Sequence, residues 1–284
     1  MEQRTEKYIY KGLKMKIGNR DFDIKNHCYI MGILNVTPDS FSDGGRWNDL
    51  ERAKKHVEEM IAEGADIIDV GGESTRPGHA QITVQEEIQR VTPYIQMIKE
   101  NFDVPVSIDS YKSDVVEAAL KAGADLVNDI WGLKYDSRIG ELIAEYDVPC
   151  CLMHNRANTD YGDFMTDMLA DMRKSIHMAK FAGIREDQII LDPGVGFGKT
   201  QENNLTVINR LEELCALGYP VLLAASRKSV IGAALDLPTD QRVEGTMAAT
   251  VLGVVKGAAF VRVHDIKENY RAIKMTEAVL HEKI

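Results

Sequence analysis

Polar side chains of several chemical types stand at the C-terminal ends of the short apolar segments of this sequence. The segment ADIIDV contains Asp69 near its end, for example, and QIILD ends on Asp192. The whole set is Asn35, Asp69, Asp109, Asn128, Asp129, His154, Asn155, Asp192, Ser226, Arg227, Lys228, Arg262 and His264. Amides and cations together suit an anionic ligand, and carboxylates among them suit a ligand that also donates hydrogen bonds. The residue types therefore indicate a site for a ligand of that mixed character.

Several common catalytic arrangements are missing from the sequence. It contains no HxH or HExxH pair, no GxSxG segment and no cysteine beside an evident base. Those patterns are typical of zinc sites built from protein ligands alone and of nucleophilic hydrolases. A protein-only zinc site and a nucleophile triad are therefore disfavoured.

The apolar segments alternate with helical patterns along the chain. Eight of them occur: CYIMGIL, ADIIDV, VPVSI, ADLVN, VPCCLM, QIILD, YPVLLAA and AAFVRV. Strands that are apolar on both faces are typical of a parallel sheet covered by helices. Eight strand–helix units favour closure into a (β/α)8 TIM barrel, an α/β fold, over the alternative of an open doubly wound sheet. Because all eight C-terminal strand ends of a barrel meet at one rim, the polar residues are expected to converge there.

The boundaries of the fold can also be predicted. We expect one domain over residues 1–284, because no linker, low-complexity tract or change of composition interrupts the series. Within it, residues 1–27 contain short strand patterns around Gly12 and Gly18, which predict a small hairpin appended before the barrel. For the first long helix the sequence predicts a start at Asn48 or Asp49 and a stop at Gly64.

Composition and charge limit the partners of the protein. The formal net charge of −10 argues against a general nucleic-acid surface, which would need a basic patch. No apolar run reaches membrane-spanning length, and the first sixteen residues contain no apolar core of a secretion signal. The four cysteines, Cys28, Cys150, Cys151 and Cys215, form no CxxC pair and are interpreted as reduced core residues. We therefore expect a cytoplasmic protein that acts on small molecules and binds neither nucleic acid nor membrane.

Three polar segments that follow predicted strands are longer than a connection to the next helix requires. They are NVTPDSFSDGG (35–45), GGESTRPG (71–78) and PGVGFGKT (193–200). The third is close to the phosphate loop GxxxxGK[ST], but Pro193 replaces the first glycine and lacks the N–H that such a loop uses. Its glycines either let the backbone approach a flat ligand or only form a flexible loop, and the segment alone leaves both open. The first two segments are interpreted as lids that order on a ligand.

The order of these motifs resembles that of the dihydropteroate synthases. The matching segments are MGILNVTPDSFSDGG, DVGGESTRPG, SIDS, NDIWG, MHNR, LDPGVGFGK, SRKSVIG and RVHD, which span about Met31 to Asp265. The resemblance implies a (β/α)8 barrel that condenses 6-hydroxymethyl-7,8-dihydropterin diphosphate with p-aminobenzoate. The products would be 7,8-dihydropteroate and diphosphate, in folate biosynthesis. The resemblance also implies dependence on Mg²⁺ and a homodimer.

A pterin site follows from the same resemblance. Asp192 is expected to accept the adjacent N–H groups of the pterin edge, and Asn128 and Asp109 are expected to complete it. Lys228 is expected at the ring carbonyl, and Arg262 is expected flat against the ring as a cation over a π face. The apolar walls of this site are expected from Met153 and Phe197, and Ile130 is also expected at the pterin.

The resemblance also assigns residues to the diphosphate, the metal and the second substrate. Asn35 is expected to bind Mg²⁺, which commonly keeps several waters and takes ligands from substrate phosphates. The residues expected at the diphosphate are Asn35, Thr75, Arg76, Arg262 and His264. The residues expected at p-aminobenzoate are Phe41, Thr75, Pro77, Lys228 and Ser229. The residues expected to act on the reacting centre are Asp43, Thr75, Arg76, Lys228 and Arg262.

Two other functions share part of this pattern. A related pterin-binding barrel that transfers a methyl group from methyltetrahydrofolate would keep Asp192 and Asn128 but should lack the two diphosphate-handling loops, which this sequence contains. A non-catalytic paralogue would be indicated by loss of Lys228, Asn35 or Arg76, and all three are present. The sequence therefore favours the synthase. That diphosphate leaves before the arylamine attacks is implied by the resemblance alone.

Overall fold

The computed structural model describes residues 14–36, 46–73 and 81–283, with side chains from residue 49 onward in the second range. Two strands that form a hairpin precede eight parallel strands in chain order. The strands are β1 (Met15–Ile17), β2 (Arg20–Phe22), β3 (Tyr29–Asn35), β4 (Ile67–Gly71), β5 (Val106–Asp109), β6 (Leu126–Asp129), β7 (Cys150–Met153), β8 (Ile189–Asp192), β9 (Leu222–Leu223) and β10 (Phe260–Val263).

Helices fill the connections between the parallel strands. They are α1 (Arg46–Glu63), α2 (Val84–Asn101), α3 (Ser113–Lys121), α4 (Arg138–Tyr146), α5 (Phe164–Phe181), α6 (Gln201–Asn209), α7 (Leu211–Cys215), α8 (Ser229–Leu235), α9 (Val243–Val255) and α10 (Ile266–His281). In the part of the chain described here, no helix is both long and apolar enough to cross a membrane.

The ends of α1 test the boundary prediction. The helix begins at Arg46, so Asn48 and Asp49 lie inside its first turn and the predicted start was wrong. Its stop was predicted correctly, because Gly64 follows the last helical residue with a φ of 111°. An L residue with a side chain rarely adopts that conformation, and glycine does so without steric cost.

The eight strands β3 to β10 form one parallel sheet that closes on itself. The strand order is β8-β7-β6-β5-β4-β3-β10-β9, and a parallel bridge between Leu191 and Val221 joins the two outer strands. The predicted (β/α)8 barrel is therefore confirmed. Alternate residues of each strand point into the barrel and out toward the helices, as the two-residue period of a strand requires. Cys150 belongs to the outer core and Cys151 to the inner one.

The N-terminal hairpin packs against the base of the barrel interior. Strands β1 and β2 pair in antiparallel register around a two-residue turn, Gly18-Asn19, in which Gly18 has a φ of 60°. The apolar side chains of the hairpin share one buried cluster with the first inward residues of the barrel strands. This cluster comprises Met15, Ile17, Phe22, Ile24, Met31, Ile67, Leu126, Cys151, Ile190, Leu222, Ala224, Ala259 and Phe260. The hairpin thus covers the end of the barrel opposite the C-terminal strand ends.

Removing the largest hairpin side chain should destabilise the whole fold. Phe22 is 2% exposed, and its ring lies 4.8 Å from that of Tyr29 and 5.9 Å from that of Phe260, centroid to centroid. We expect Phe22→Ala to lower the free energy of unfolding by about 3 kcal/mol in urea denaturation, because it leaves a cavity at the base of the barrel. Phe181→Ala is the matched control: Phe181 is 88% exposed, so its loss should change that free energy by less than about 0.5 kcal/mol. Equal losses for the two variants would show that the hairpin contributes no packing.

Candidate active site

The barrel interior changes from apolar to polar toward the C-terminal strand ends. On several strands the first inward residue belongs to the apolar cluster at the base, and the inward residue two positions later is polar. The pairs are Ile67 and Asp69, Leu126 and Asn128, Ile190 and Asp192, and Phe260 and Arg262. The polar layer therefore lies directly above the apolar layer, at the rim where barrel enzymes hold their sites.

Strand register aligns several of the predicted residues in one row. Asn35 pairs with Gly71, Gly71 with Asp109, and Asp109 with Asn128, across four neighbouring strands. A Cβ atom on Gly71 would lie 3.6 Å from the Asp109 carboxylate and 3.7 Å from Asn35 Oδ1. The glycine thus leaves a gap about the size of one methyl group between the amide of Asn35 and the carboxylate of Asp109.

Arg262 is held in the barrel by two buried carboxylates. Its Nε donates to Asp69 Oδ2 at 2.6 Å and its Nη2 to Asp109 Oδ2 at 2.7 Å. Burial opposes the charge of the guanidinium, but the nearby Asp69 and Asp109 outweigh burial and raise the pKa of Arg262. Burial raises the pKa of Asp109 to about 7, although Arg262 acts in the opposite direction. The second oxygens of both carboxylates, Oδ1 in each case, are buried and have no partner among the described residues.

Asp192 and Lys228 are two further groups of opposite charge at the rim, and each influences the pKa of the other. Asp192 is buried, and its Oδ1 accepts a hydrogen bond from the backbone N–H of Gly194 at 2.7 Å. Lys228 Nζ donates to the carbonyl oxygen of Val195 and lies 4.8 Å from the centre of the Phe197 ring. Burial lowers the pKa of Lys228 to about 8, against the attraction of Asp192 and Asp109. Burial raises the pKa of Asp192, and Lys228 is the main neighbour that opposes this rise.

A small apolar cluster lies at the same rim. Ile130 and Met153 are buried together with Tyr111, and Trp131 and Phe197 pack against them. The three apolar residues that the resemblance implies at the pterin, Ile130, Met153 and Phe197, therefore lie close together. Trp131 and Tyr111 join them without having been predicted as site residues.

The loop between β8 and α6, residues 193–199, is shaped by contacts with a neighbouring segment. Gly194, Gly196 and Gly198 have φ values of 68°, 86° and 53°. A Cβ atom on Gly194 would overlap the carbonyl of His154, and one on Gly198 would lie 2.5 Å from the carbonyl oxygen of Arg156. The two outer glycines therefore allow close packing against residues 154–156, whereas a Cβ on Gly196 would face the Lys228 side chain at 3.3 Å.

Two more of the predicted residues are His264, directly after β10, and Ser229, in α8. His264 Nδ1 is 2.9 Å from the hydroxyl of Ser226, which also accepts a hydrogen bond from the His264 N–H at 3.1 Å. Ser229 is the first residue of α8, directly after Lys228, and it is exposed. Asn35 is exposed at the end of β3.

Five of the predicted residues lie outside the described part of the chain. They are Phe41 and Asp43, in residues 37–45, and Thr75, Arg76 and Pro77, in residues 74–80. Glu73, the last described residue before the second gap, accepts hydrogen bonds from Tyr111 at 2.7 Å and from Lys112 at 2.6 Å.

Sequence reasoning missed two polar members of this site. Asp69 appeared among the polar strand ends without a role, and it binds Arg262. The signal was available in ADIIDV, because Asp69 is two residues from the inward-facing Ile67 and must share its direction. Lys199 is the second residue that was not predicted at the site. Its Nζ lies 2.8 Å from His154 Nδ1. No pattern in the sequence predicts that long-range contact.

Comparison with known proteins agrees with this arrangement. The model of the family described as "Pterin binding enzyme" matches residues 31–264. Dihydropteroate synthase of Clostridium beijerinckii is 59% identical over 267 residues, covering 94% of this chain and 99% of that protein.

Two solved structures are similar over almost their full length. Dihydropteroate synthase from Clostridium difficile, crystallised in the presence of pteroic acid, is 51% identical with a TM-score of 0.87, and the match covers 93% of this chain and 98% of the other. The enzyme from Xanthomonas albilineans, solved with 4-aminobenzoic acid, is 38% identical with a TM-score of 0.89, covering 94% and 98%. This chain therefore belongs to the pterin-binding enzyme family and, within it, to the dihydropteroate synthases.

Proposed function

We propose that the protein condenses 6-hydroxymethyl-7,8-dihydropterin diphosphate with p-aminobenzoate and releases 7,8-dihydropteroate and diphosphate. The observation that carries the proposal is the composition of the barrel mouth. Two carboxylates (the buried Asp192 and the largely buried Asp109), the amide of Asn128 and two cations (Lys228 and Arg262) stand beside one apolar cluster. Relatives solved with pteroic acid and with 4-aminobenzoic acid support the choice of both substrates.

The pterin fits the hydrogen-bonding character of this mouth. Its edge presents adjacent N–H donors, and a buried carboxylate accepts such donors more strongly than a neutral group does. We assign that role to Asp192, whose Oδ1 also accepts from the Gly194 N–H and is thereby fixed in direction. Lys228 would donate to the ring carbonyl, and the walls Met153 and Phe197 would hold the ring faces.

The chemistry needs a departing anion and an incoming neutral amine. The C–O bond to diphosphate breaks with its electron pair on the diphosphate, and the arylamine nitrogen then forms the new C–N bond and gives a proton to solvent. Arg262 and Lys228 would favour the departing charge, because cations preorganised in a partly buried site stabilise developing anions. An arylamine is unprotonated at neutral pH, so the attack requires no strong general base. Thr75, Arg76 and Asp43 are proposed to assist at the reacting centre.

A divalent cation fits one edge of this mouth. When bound, Mg²⁺ would neutralise charge on the diphosphate. The amide oxygen of Asn35 lies beside Gly71, across a small gap from the Asp109 carboxylate. One neutral amide together with substrate phosphate oxygens and water is a common ligand set for Mg²⁺. We propose Asn35 as the protein ligand, with His264 and Ser229 meeting the diphosphate and the p-aminobenzoate carboxylate respectively.

The experiment that tests the function is a complete turnover assay. Purified protein with both substrates and Mg²⁺ is expected to form 7,8-dihydropteroate and diphosphate in a one-to-one ratio. Omitting p-aminobenzoate should stop the formation of dihydropteroate. Removing the metal with a chelator should stop both products, and restoring Mg²⁺ should restore them. Absence of dihydropteroate with both substrates saturating would refute the assignment. Methyl transfer from methyltetrahydrofolate in the same preparation would identify the related methyltransferase activity instead.

We propose that the protein is a homodimer, as the resemblance implies. It is supported by large apolar side chains that are exposed on α9 and α10, two helices that pack against each other. These side chains are Leu252, Val255, Met275 and Val279. A mass of one chain in sedimentation at micromolar concentration would reject it.

A further inference from the structure

Lys199 makes an unusually complete set of hydrogen bonds beside the candidate site. Its Nζ lies 2.8 Å from His154 Nδ1, 2.9 Å from the carbonyl oxygen of Gly194 and 3.0 Å from that of Phe197. Burial lowers the pKa of Lys199 to about 7, against the attraction of Asp192. In its ammonium form the side chain has three protons to donate, and these three acceptors can use all of them. Lys199 thus joins two points of its own loop, residues 193–199, to the buried His154 on the neighbouring strand end.

His154 can receive this bond in only one protonation state. Burial, followed by the charges of Lys199 and Lys134, lowers the pKa of His154 to about 3, so the ring is neutral at physiological pH. Because Nδ1 faces the Lys199 ammonium, the proton of the neutral ring belongs on Nε2, which lies 3.4 Å from Asp171 Oδ2. Asp171 is itself bound by Arg156 at 2.6 Å. The His154 ring, which accepts from Lys199, is therefore held in place by Asp171 and Arg156.

The loop needs such bonds because its sequence gives it little intrinsic shape. Three of its seven residues are glycines with positive φ, and glycine loses more conformational freedom on ordering than any other residue. Other bonds fix the loop ends: Gly194 N–H donates to Asp192, and Tyr161 donates to the Gly198 carbonyl at 2.6 Å. Lys199 binds the carbonyl of Phe197, whose ring the loop presents to Lys228.

We propose that Lys199 is a positioning residue for the pterin: it holds the loop 193–199 against His154 and so keeps the Phe197 ring in its place at the site. This inference rests on the proposed function, because it assumes that Phe197 contacts the pterin ring. Lys199 acts through Phe197 and touches no substrate. Without it, binding a pterin would first have to order the loop, and that ordering would weaken affinity.

The test is a double-mutant cycle on the affinity for the diphosphate-free pterin, measured by calorimetry. Lys199→Met keeps an unbranched side chain, one atom shorter, and removes the donors. It is expected to raise Kd about tenfold, while Lys199→Met in a Phe197→Ala background should raise Kd less than about twofold. In turnover, Lys199→Met should raise KM for the pterin substrate by a similar factor and change kcat little, since no contact to the reacting atoms is lost.

Lys134→Met is the matched control. Lys134 Nζ donates to the carbonyl oxygen of Asn155 at 2.7 Å. The substitution therefore removes an ammonium that binds residues 154–156, and it removes no bond to the loop 193–199. Its Kd for the pterin should stay within a factor of two of wild type. If Lys199→Met does not fold, as judged by circular dichroism, Lys199→Gln is measured in the same cycle.

The outcomes separate this inference from the function on which it rests. Wild-type protein that binds no pterin would overturn the proposed function and this inference with it. Wild-type binding with an unchanged Kd for Lys199→Met would overturn only the role of Lys199. A tenfold loss that is equally large without the Phe197 ring would also overturn that role, because Lys199 would then act independently of Phe197.

Discussion

Asp192→Asn is expected to abolish most of the activity while leaving the fold intact. The new amide can keep an oxygen toward the Gly194 N–H, but it then turns its NH₂ toward the pterin edge, where two donors would face each other. We expect kcat/KM to fall at least about 100-fold and the Kd of the diphosphate-free pterin to rise by a similar factor. Burial already raises the pKa of the Asp192 carboxyl, which means that its charged form is disfavoured inside the protein. Removing that charge should therefore not lower the free energy of unfolding.

Steady-state kinetics, calorimetry and urea denaturation on one preparation measure these three quantities. The control is Asp103→Asn, which makes the same chemical change at an exposed position before β5, at the opposite end of the barrel. That variant should retain activity within a factor of two. A KM for the pterin substrate within threefold of wild type in Asp192→Asn would reject Asp192 as its carboxylate partner.

Arg262→Met should lower stability more strongly than any exposed charge removal in this chain. The substitution leaves the Asp69 and Asp109 carboxylates buried without the guanidinium that binds both. Removing one partner of a buried ion pair typically costs about 3 kcal/mol or more, since an uncompensated charge remains. We expect a loss of about that size in urea denaturation at pH 8, together with loss of turnover.

The pH dependence of this loss follows from Asp109. Its pKa in the folded protein is about 7, above the ordinary value of 3.8, so the folded protein holds a proton there that the unfolded chain has released. Such a group destabilises the fold progressively as the pH rises from about 4 through 7. Without Arg262 the pKa of Asp109 should rise further, because Arg262 lowers it. The destabilisation by Arg262→Met should therefore be larger at about pH 8 than at about pH 5.

Arg185→Met is the matched control for this prediction. Arg185 also binds two carboxylates, Asp147 and Asp187, but on the exposed surface. Its loss should lower the free energy of unfolding by less than about 1 kcal/mol at both pH values. If Arg185→Met and Arg262→Met destabilise equally, the carboxylates around Arg262 are better hydrated than their burial indicates.

The architecture could be predicted from the sequence because it depends on local patterns. Each apolar segment and each amphipathic helix can be recognised separately, and eight repeats lead to a closed barrel with polar residues at one rim. The placement of Asp192, Asn128 and Arg262 follows from the same patterns, since strand periodicity and strand ends are both readable. Only the start of α1 was wrong: the sequence favours a polar cap, and the helix begins earlier, at Arg46.

Other features depend on contacts between distant segments and could not be predicted in the same way. The sequence predicts the hairpin but not where it packs, because the contact of its short strands, MKI and RDF, with Phe260 depends on how the chain enters the barrel. The bond from Lys199 to His154 requires the particular path of a glycine-rich loop. The pairing of Arg262 with Asp69 is predictable only in part. The two-residue period of a strand gives the direction of Asp69, but it does not identify Arg262 as its partner.

The central claim, that the buried carboxylate of Asp192 binds the pterin edge, is tested most directly by nuclear magnetic resonance of an isotope-labelled, diphosphate-free pterin bound to the protein. We expect the ring N–H protons of the bound pterin to shift strongly downfield and to exchange slowly with water, and to lose both properties in Asp192→Asn. Ring N–H protons that exchange as fast as in free pterin, in a wild-type complex that is fully formed, would contradict the claim.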